Sequence, residues 1–218
     1  MVDVTNRSRA RFEDPMGLPS WALTRLFTSW LRLTYPFASI GRNLSIHYTC
    51  LLNRAKAPQI KLGNLVILKK DAWLNVMREA IGEPKIIIDD NCWLGARTII
   101  SAKNHIHLER DVTLDNSVLI MDHSHGYEDI SRPCREQFPP PGGRILIGQG
   151  CRIGHGVAIV CPRGELVLGP NCVVLPNSLV TASAPSHSVV SGNPARVIEK
   201  LEPSKTVQDV SAEPLASR

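Results

Sequence analysis

Aromatic side chains are scarce in this chain: Phe, Tyr and Trp make up 5% of 218 residues, although 43% are hydrophobic. Interleaved aromatics and basic blocks are therefore missing, and the formal charge of +5 is modest. Both absences argue against nucleic acid as a partner, while an anionic small molecule remains compatible. No run of about 18 apolar residues occurs, and the N-terminus MVDVTNRSRARFEDP has no apolar stretch of the kind a secretory signal requires, so a cytoplasmic location is expected. The six cysteines (Cys50, Cys92, Cys134, Cys151, Cys161, Cys172) include no CxxC pair. A chain this long does not need disulfide staples, and they read as reduced, mostly small core residues. Gly and Pro follow no triplet period, which excludes collagen.

The remaining chain is long enough to bury one sizeable core. Residues 1–19 and 201–218 mix charge, Pro and Gly without periodicity and read as tails. Residues 20–39 read as an amphipathic helix with a connector: Leu23, Leu26, Phe27, Trp30 and Leu31 follow helical spacing, and Ser20 is placed to cap the start. Packing on its own domain or on a subunit neighbour is the favoured use of that helix, and lying on a membrane the less favoured one.

From residue 40 to 200 the period becomes six. Leu62, Leu68 and Leu74 are six apart, as are Ile88, Leu94 and Ile100; Leu108, Leu114 and Ile120; Ile147, Ile153 and Ile159; and Leu168, Val174 and Val180. Four residues after these aliphatics come mostly compact side chains such as Ala72, Cys92, Val112, Cys151 and Cys172. Three hexads can wind once around a three-sided prism with one short strand per side, coils stacking at about 4.8 Å. Both the aliphatic and the compact position then point inward, and a ring would not fit at the corner. Gly41, Gly63, Gly95, Gly148, Gly154 and Gly169 directly follow an aliphatic, at a corner where an unbranched backbone helps the turn. Breaks in the period mark outward loops: Asn75–Lys85, slightly lengthened corners before Leu108 and Leu168, and a long Pro-rich excursion over 123–144.

The excursion begins Asp122-His123-Ser124-His125, just past the hexad aliphatic Ile120. Both imidazoles are expected to project outward beside the loop, where an ordinary pKa near 6.5 suits a general base that takes a proton from an attacking alcohol. Asp122 is available to hold a ring tautomer. No GxSxG elbow accompanies them, so direct transfer is expected rather than a covalent acyl-enzyme. A metal reading competes, because the HxH pairs His105/His107 and His123/His125 lie about one coil apart and three imidazoles suffice for zinc. A solvated prism face is the favoured reading of His105 and His107. In the C-terminal repeats, Gly154, Gly156 and Ala158 leave backbone approachable for an extended amide-bearing ligand, and Arg196 and Lys200 could meet phosphate oxygens.

Taken together, the repeats, DHSHGYED with a Pro-containing loop after it, ILIGQGCRIGHGVAI and the ending SVVSGNPARVI resemble the hexapeptide-repeat acyltransferases. Within them the likeness is to sugar and surface-polysaccharide O-acetyltransferases, over about Ile40 to Lys200. The resemblance implies an all-β fold, a left-handed parallel β-helix, against the usual right-handed crossover. It also implies a homotrimer with sites between neighbouring prisms, acetyl-CoA as acyl donor, no metal, and a small-molecule or glycan acceptor. It assigns the catalytic role to His125, with Asp122 and His123 supporting, and donor contacts to Arg152, His155, Ala158, Pro176, Thr181 and Arg196. Arg152 stands where the family commonly has Trp, and Ala182 where it commonly has Lys or Arg. The acceptor-binding Asn of the maltose and galactoside enzymes falls near Gly95, which argues against those free sugars, and the paired-His form DHSHGY resembles transferases acting in polysaccharide or lipopolysaccharide assembly. N-acylation of an amino sugar, a zinc-dependent carbonic-anhydrase-like hydratase and a noncatalytic trimeric scaffold are the alternatives.

Overall fold

A computed structural model describes residues 17–77, 84–137 and 141–202. Most of both expected tails, and parts of the 75–85 and 123–144 excursions, lie outside the described residues.

A helix α1 (Gly17–Thr34) is followed by six coils of three short strands each. The first coil carries β1 (Ser39–Ile40), β2 (Ser45–Ile46) and β3 (Leu51–Leu52), and the second β4 (Ile60–Leu62), β5 (Ile67–Leu68) and β6 (Trp73–Val76). The third has β7 (Ile86–Ile88), β8 (Trp93–Leu94) and β9 (Ile99–Ala102), and the fourth β10 (His105–Leu108), β11 (Thr113–Leu114) and β12 (Leu119–Met121). The fifth has β13 (Arg144–Ile147), β14 (Arg152–Ile153) and β15 (Ala158–Val160), and the sixth β16 (Glu165–Leu168), β17 (Val173–Val174) and β18 (Leu179–Val180). Every third strand pairs in parallel, giving three walls that start from β1, β2 and β3. The hairpin of β19 (Ser188–Gly192) and β20 (Ala195–Lys200) extends the second wall and closes the C-terminal end. The winding is the left-handed parallel β-helix expected from the resemblance.

The six-residue aliphatics line the prism, with Leu62, Leu68, Ile88, Leu94, Ile100 and Leu114 almost wholly buried. Each contributes roughly 2 kcal/mol of transfer free energy. Ile40, Ile46 and Leu52 form a sixth triad below the five recognised in sequence, set off from Leu62 by the 3-10 turn Arg54–Gln59. Burial raises the thiols of Cys50 and Cys92 to about 12, which keeps these corner residues protonated.

Two local details depart from the sequence reading. The six glycines after the aliphatics have ordinary φ; what they lack is space, since a Cβ on Gly63 would come 2.6 Å from the Asp89 carbonyl carbon and one on Gly154 2.8 Å from the Val174 oxygen. The left-handed backbone comes two residues later, at Asn43, Leu65, Arg97, Gly150, Gly156 and Asn171, with φ between 56° and 70°, and it recurs at the other corners at Asn91, Asp111 and Asn177. Gly, Asn and Asp are the residues that tolerate this region best. Secondly, Asn75 and Val76 are not outside: β6 runs through them, and Val76 is buried.

α1 starts at Gly17, ahead of Ser20, and stops before the Tyr35-Pro36 step, where proline disfavours a helical preceding residue. Of the expected apolar stripe only Phe27 and Leu31 pack inward. Thr24, Thr28 and Leu31 face the first coil, and the Thr28 hydroxyl accepts from the Ile46 amide at 3.0 Å. Leu31 reaches into the core, whereas Leu23, Leu26 and Trp30 are exposed.

Candidate active site

Past the end of β12, the carboxylate of Asp122 is fully buried. Its Oδ1 accepts from the Lys103 amide at 2.7 Å, and its Oδ2 from the amides of Asn104 and His105 at 2.7 and 2.8 Å. These amides belong to the link between β9 and β10, so one side chain fastens the end of the fourth coil to its beginning. His123 Nδ1 lies 3.0 Å from Oδ1. Burial pushes the Asp122 carboxyl up, but the bonds from His123 and the three amides outweigh it and hold it below the ordinary carboxylate range.

The Asp122 carbonyl also accepts from the Gly143 amide at 2.6 Å, immediately before β13. The excursion therefore leaves and returns through a narrow neck. A Cβ on Gly143 would come 2.4 Å from the Cys161 oxygen, so only glycine fits there. Further out, the Gln137 side chain donates to the carbonyls of Asp129 and Arg132 at 2.7 and 3.0 Å and accepts from the Asp129 amide at 2.9 Å.

His125 is exposed on the excursion, as expected. It lines a pocket of about 250 Å³ together with Ser124, Tyr127, Glu128, Pro162 and Arg163. Pro162 and Arg163 come from the lengthened corner between β15 and β16, one coil further along, and Arg163 pairs with Glu128 of the excursion. Sequence reasoning missed Arg163. The signal was present, because the overlong step before Leu168 follows a strand in register with β12, so the two bulges stack.

His123 departs from its expected outward direction: it is 5% exposed, turned in against Asp122. The alternation of a strand no longer applies past Met121, and the buried carboxylate captures the ring. His105 and His107 keep that alternation on β10 and stand part-exposed on the first wall, with His107 Nε2 2.8 Å from Asp89 Oδ2. Burial, with Arg144 and His107 nearby, lowers the His105 pKa. Among the described residues no three His, Cys, Asp or Glu side chains cluster to hold a metal, so the four histidines do not converge as the zinc reading requires.

The donor-side candidates form a separate set on the last coils. His155 and Pro176 follow β14 and β17, neighbouring strands of the second wall, at the corner with the third. Ala158 lies on the third wall and Thr181 just beyond its last strand. Arg152 projects from the second wall toward Asp115, at 3.2 Å, and Arg196 is exposed on the closing hairpin. None of the six lines the pocket beside His125 within one chain.

No family model matches the chain. It is 30% identical over 128 residues to WbbJ of Escherichia coli K12, a protein named for O-acetyl transfer in lipopolysaccharide biosynthesis, covering 56% of this chain and 64% of WbbJ. Among solved structures, AntD from Bacillus cereus, an N-acyltransferase in complex with dTDP and coenzyme A, superposes with a TM-score of 0.66 at 17% identity, over 80% of this chain and 89% of AntD. A maltose O-acetyltransferase from Clostridium difficile 630 superposes with a TM-score of 0.53 at 22% identity, over 88% of this chain and 91% of the other. The chain shares its fold, the left-handed parallel β-helix, with these solved structures. It spans less than two thirds of the length of the curated relatives it matches. The prism is a rigid rod, and chemistry has to be placed on its corners and excursions.

Proposed function

We propose that the chain is an acetyl-CoA-dependent O-acetyltransferase acting on a sugar hydroxyl in surface polysaccharide or lipopolysaccharide assembly, with His125 as general base. The observation that carries this reading is an exposed imidazole at the rim of a pocket, held at a neck that Asp122 fastens to three backbone amides. The likeness to WbbJ, itself named for O-acetyl transfer, supports the class of reaction.

In the reaction a ring nitrogen of His125 takes the acceptor hydroxyl proton as the oxygen attacks the thioester carbonyl carbon. The C–O bond forms, the tetrahedral intermediate collapses with loss of the C–S bond, and the imidazolium returns its proton to the departing thiolate of CoA. Asp122 and His123 act as positioning residues. Arg152, His155, Ala158, Pro176, Thr181 and Arg196 are assigned to the donor, with Arg196 meeting its phosphates.

The active unit is a homotrimer. Its support is an outward column on the third wall, Leu51, Trp73, Ile99, Leu119, Ala158 and Leu179, apolar in every coil. Neither of the other walls presents such a column to solvent, and burying it between prisms would bring the donor set of one chain toward the His125 pocket of another. The location is cytoplasmic, where the free cysteines stay reduced. No helix among the described residues is long and apolar enough to cross a membrane.

Labelled acetyl-CoA with a panel of nucleotide sugars and glycan intermediates tests the reading. Label should appear in a product that mild base cleaves, as an ester, and a base-resistant amide would replace O- by N-acylation. Transfer at the wild-type rate by His125→Ala would falsify the assignment of the base. Sedimentation should give three times the 24.0 kDa chain mass, and a monomer would remove the intersubunit site.

A further inference from the structure

We infer that α1 is a membrane-surface helix that docks the N-terminal end of the prism onto an anionic lipid bilayer. Because Thr24, Thr28 and Leu31 face the prism, the opposite side of the helix is presented outward. That side consists of Ala22, Leu23, Leu26, Ser29, Trp30 and Leu33, apolar except for Ser29, and Leu26 and Leu33 are 69% and 87% exposed. Two tryptophans, Trp21 and Trp30, are about half exposed on this helix, and its only charged side chains are Arg25 and Arg32. Arg25 stacks over the Trp21 ring at 5.7 Å, so a cation and an indole stand together at the edge of the apolar face.

Charge decides between a bilayer and a second copy of this chain as the occupant. Over residues 17–77 there are eight Lys and Arg and one acidic residue, Asp71. Over residues 84–137 the balance reverses, with six basic against nine acidic side chains. The helix and first two coils thus form a strongly cationic end. Two such ends brought face to face would repel each other, whereas an anionic headgroup layer complements both the charge and the apolar face. With no helix among the described residues long and apolar enough to cross, α1 is placed on the surface. This inference does not rest on the proposed chemistry, because it concerns an end of the rod remote from His125 and is read without turnover.

The test is flotation of the full-length protein with phosphatidylcholine vesicles, alone or containing phosphatidylglycerol. The protein should float with the phosphatidylglycerol vesicles, with binding falling about tenfold or more on pure phosphatidylcholine or in high salt. The double variant Leu26→Glu/Leu33→Glu should lose flotation while keeping its melting temperature and sedimenting mass, and Arg25→Glu/Arg32→Glu should weaken it on the anionic vesicles. Wild-type protein that stays unbound, or glutamate variants that float normally, would overturn the inference. So would a loss of oligomeric mass on Leu26→Glu/Leu33→Glu, which would identify a sister chain as the occupant.

Discussion

The two HxH pairs share a spacing and little else. His105 and His107 sit on β10, where both neighbours in the wall hold the strand straight, and both rings stand on the outer face with Ile106 and Leu108 inside. His123 and His125 come after the ladder of β12 has ended at Met121, and there the first ring turns inward and the second stays out. Alternation is a property of a paired strand. Beyond its last rung, the local competition for hydrogen bonds decides where a side chain goes, and here a buried carboxylate wins His123.

The contrast can be broken most sharply at the exposed ring. His125→Ala should lower turnover by about 10²-fold or more with the melting temperature unchanged, whereas His107→Ala should leave turnover within twofold of wild type; steady-state kinetics on both decides whether outward direction alone confers function. Next in size, Asp122→Ala strips the acceptor from three part-buried amides and from the buried His123. It should cost about 3 kcal/mol in denaturant unfolding and reduce turnover as well, since the neck that carries His125 loosens. His123→Ala removes one bond and leaves a small void, so about 1 to 2 kcal/mol is expected, with turnover reduced less than in His125→Ala.

Acid melting sharpens the same point. Because the folded pKa of Asp122 is depressed, its stabilisation is complete above the unfolded value near 3.9 and is lost as pH falls through the lower folded value. Wild-type protein should therefore lose melting temperature below about pH 4 more steeply than Asp122→Ala. The smallest effect is on stability at the other pair: the part-exposed His107 to Asp89 contact is worth about 0.5 kcal/mol, and His107→Ala should melt within a degree or two of wild type.

Much of the fold was legible because a prism corner recurs with the same steric demand every six residues. Ile88, Leu94 and Ile100 announce three walls without any long-range knowledge, while handedness, which leaves no mark on spacing, came from the resemblance. The first coil was harder to read, since the ten-residue step from Leu52 to Leu62 interrupts the beat. The corner glycines were read for turning and prove to be there for clearance; the turning residue lies two positions later, where Asn43, Gly150, Gly156 and Asn171 were a visible signal and Leu65 and Arg97 were not. At the candidate site, position along the chain pointed to His125, but not the burial of His123, which depends on amides 18 to 20 residues away. Arg163 required comparing bulges on adjacent coils rather than reading one. The helix misled for a related reason: its apolar residues suggest a stripe, but Thr24 and Thr28 take the inner side.

A stack of coils with fixed rise also works as a spacer. The end that carries α1 and the corner that carries His125 are separated by three coil steps, or about 14 Å. On a lipid surface this would set the imidazole at a constant height above the headgroups, within reach of a sugar held a few bonds from its anchor. Excising one complete coil would lower it by about 5 Å and leave every corner intact.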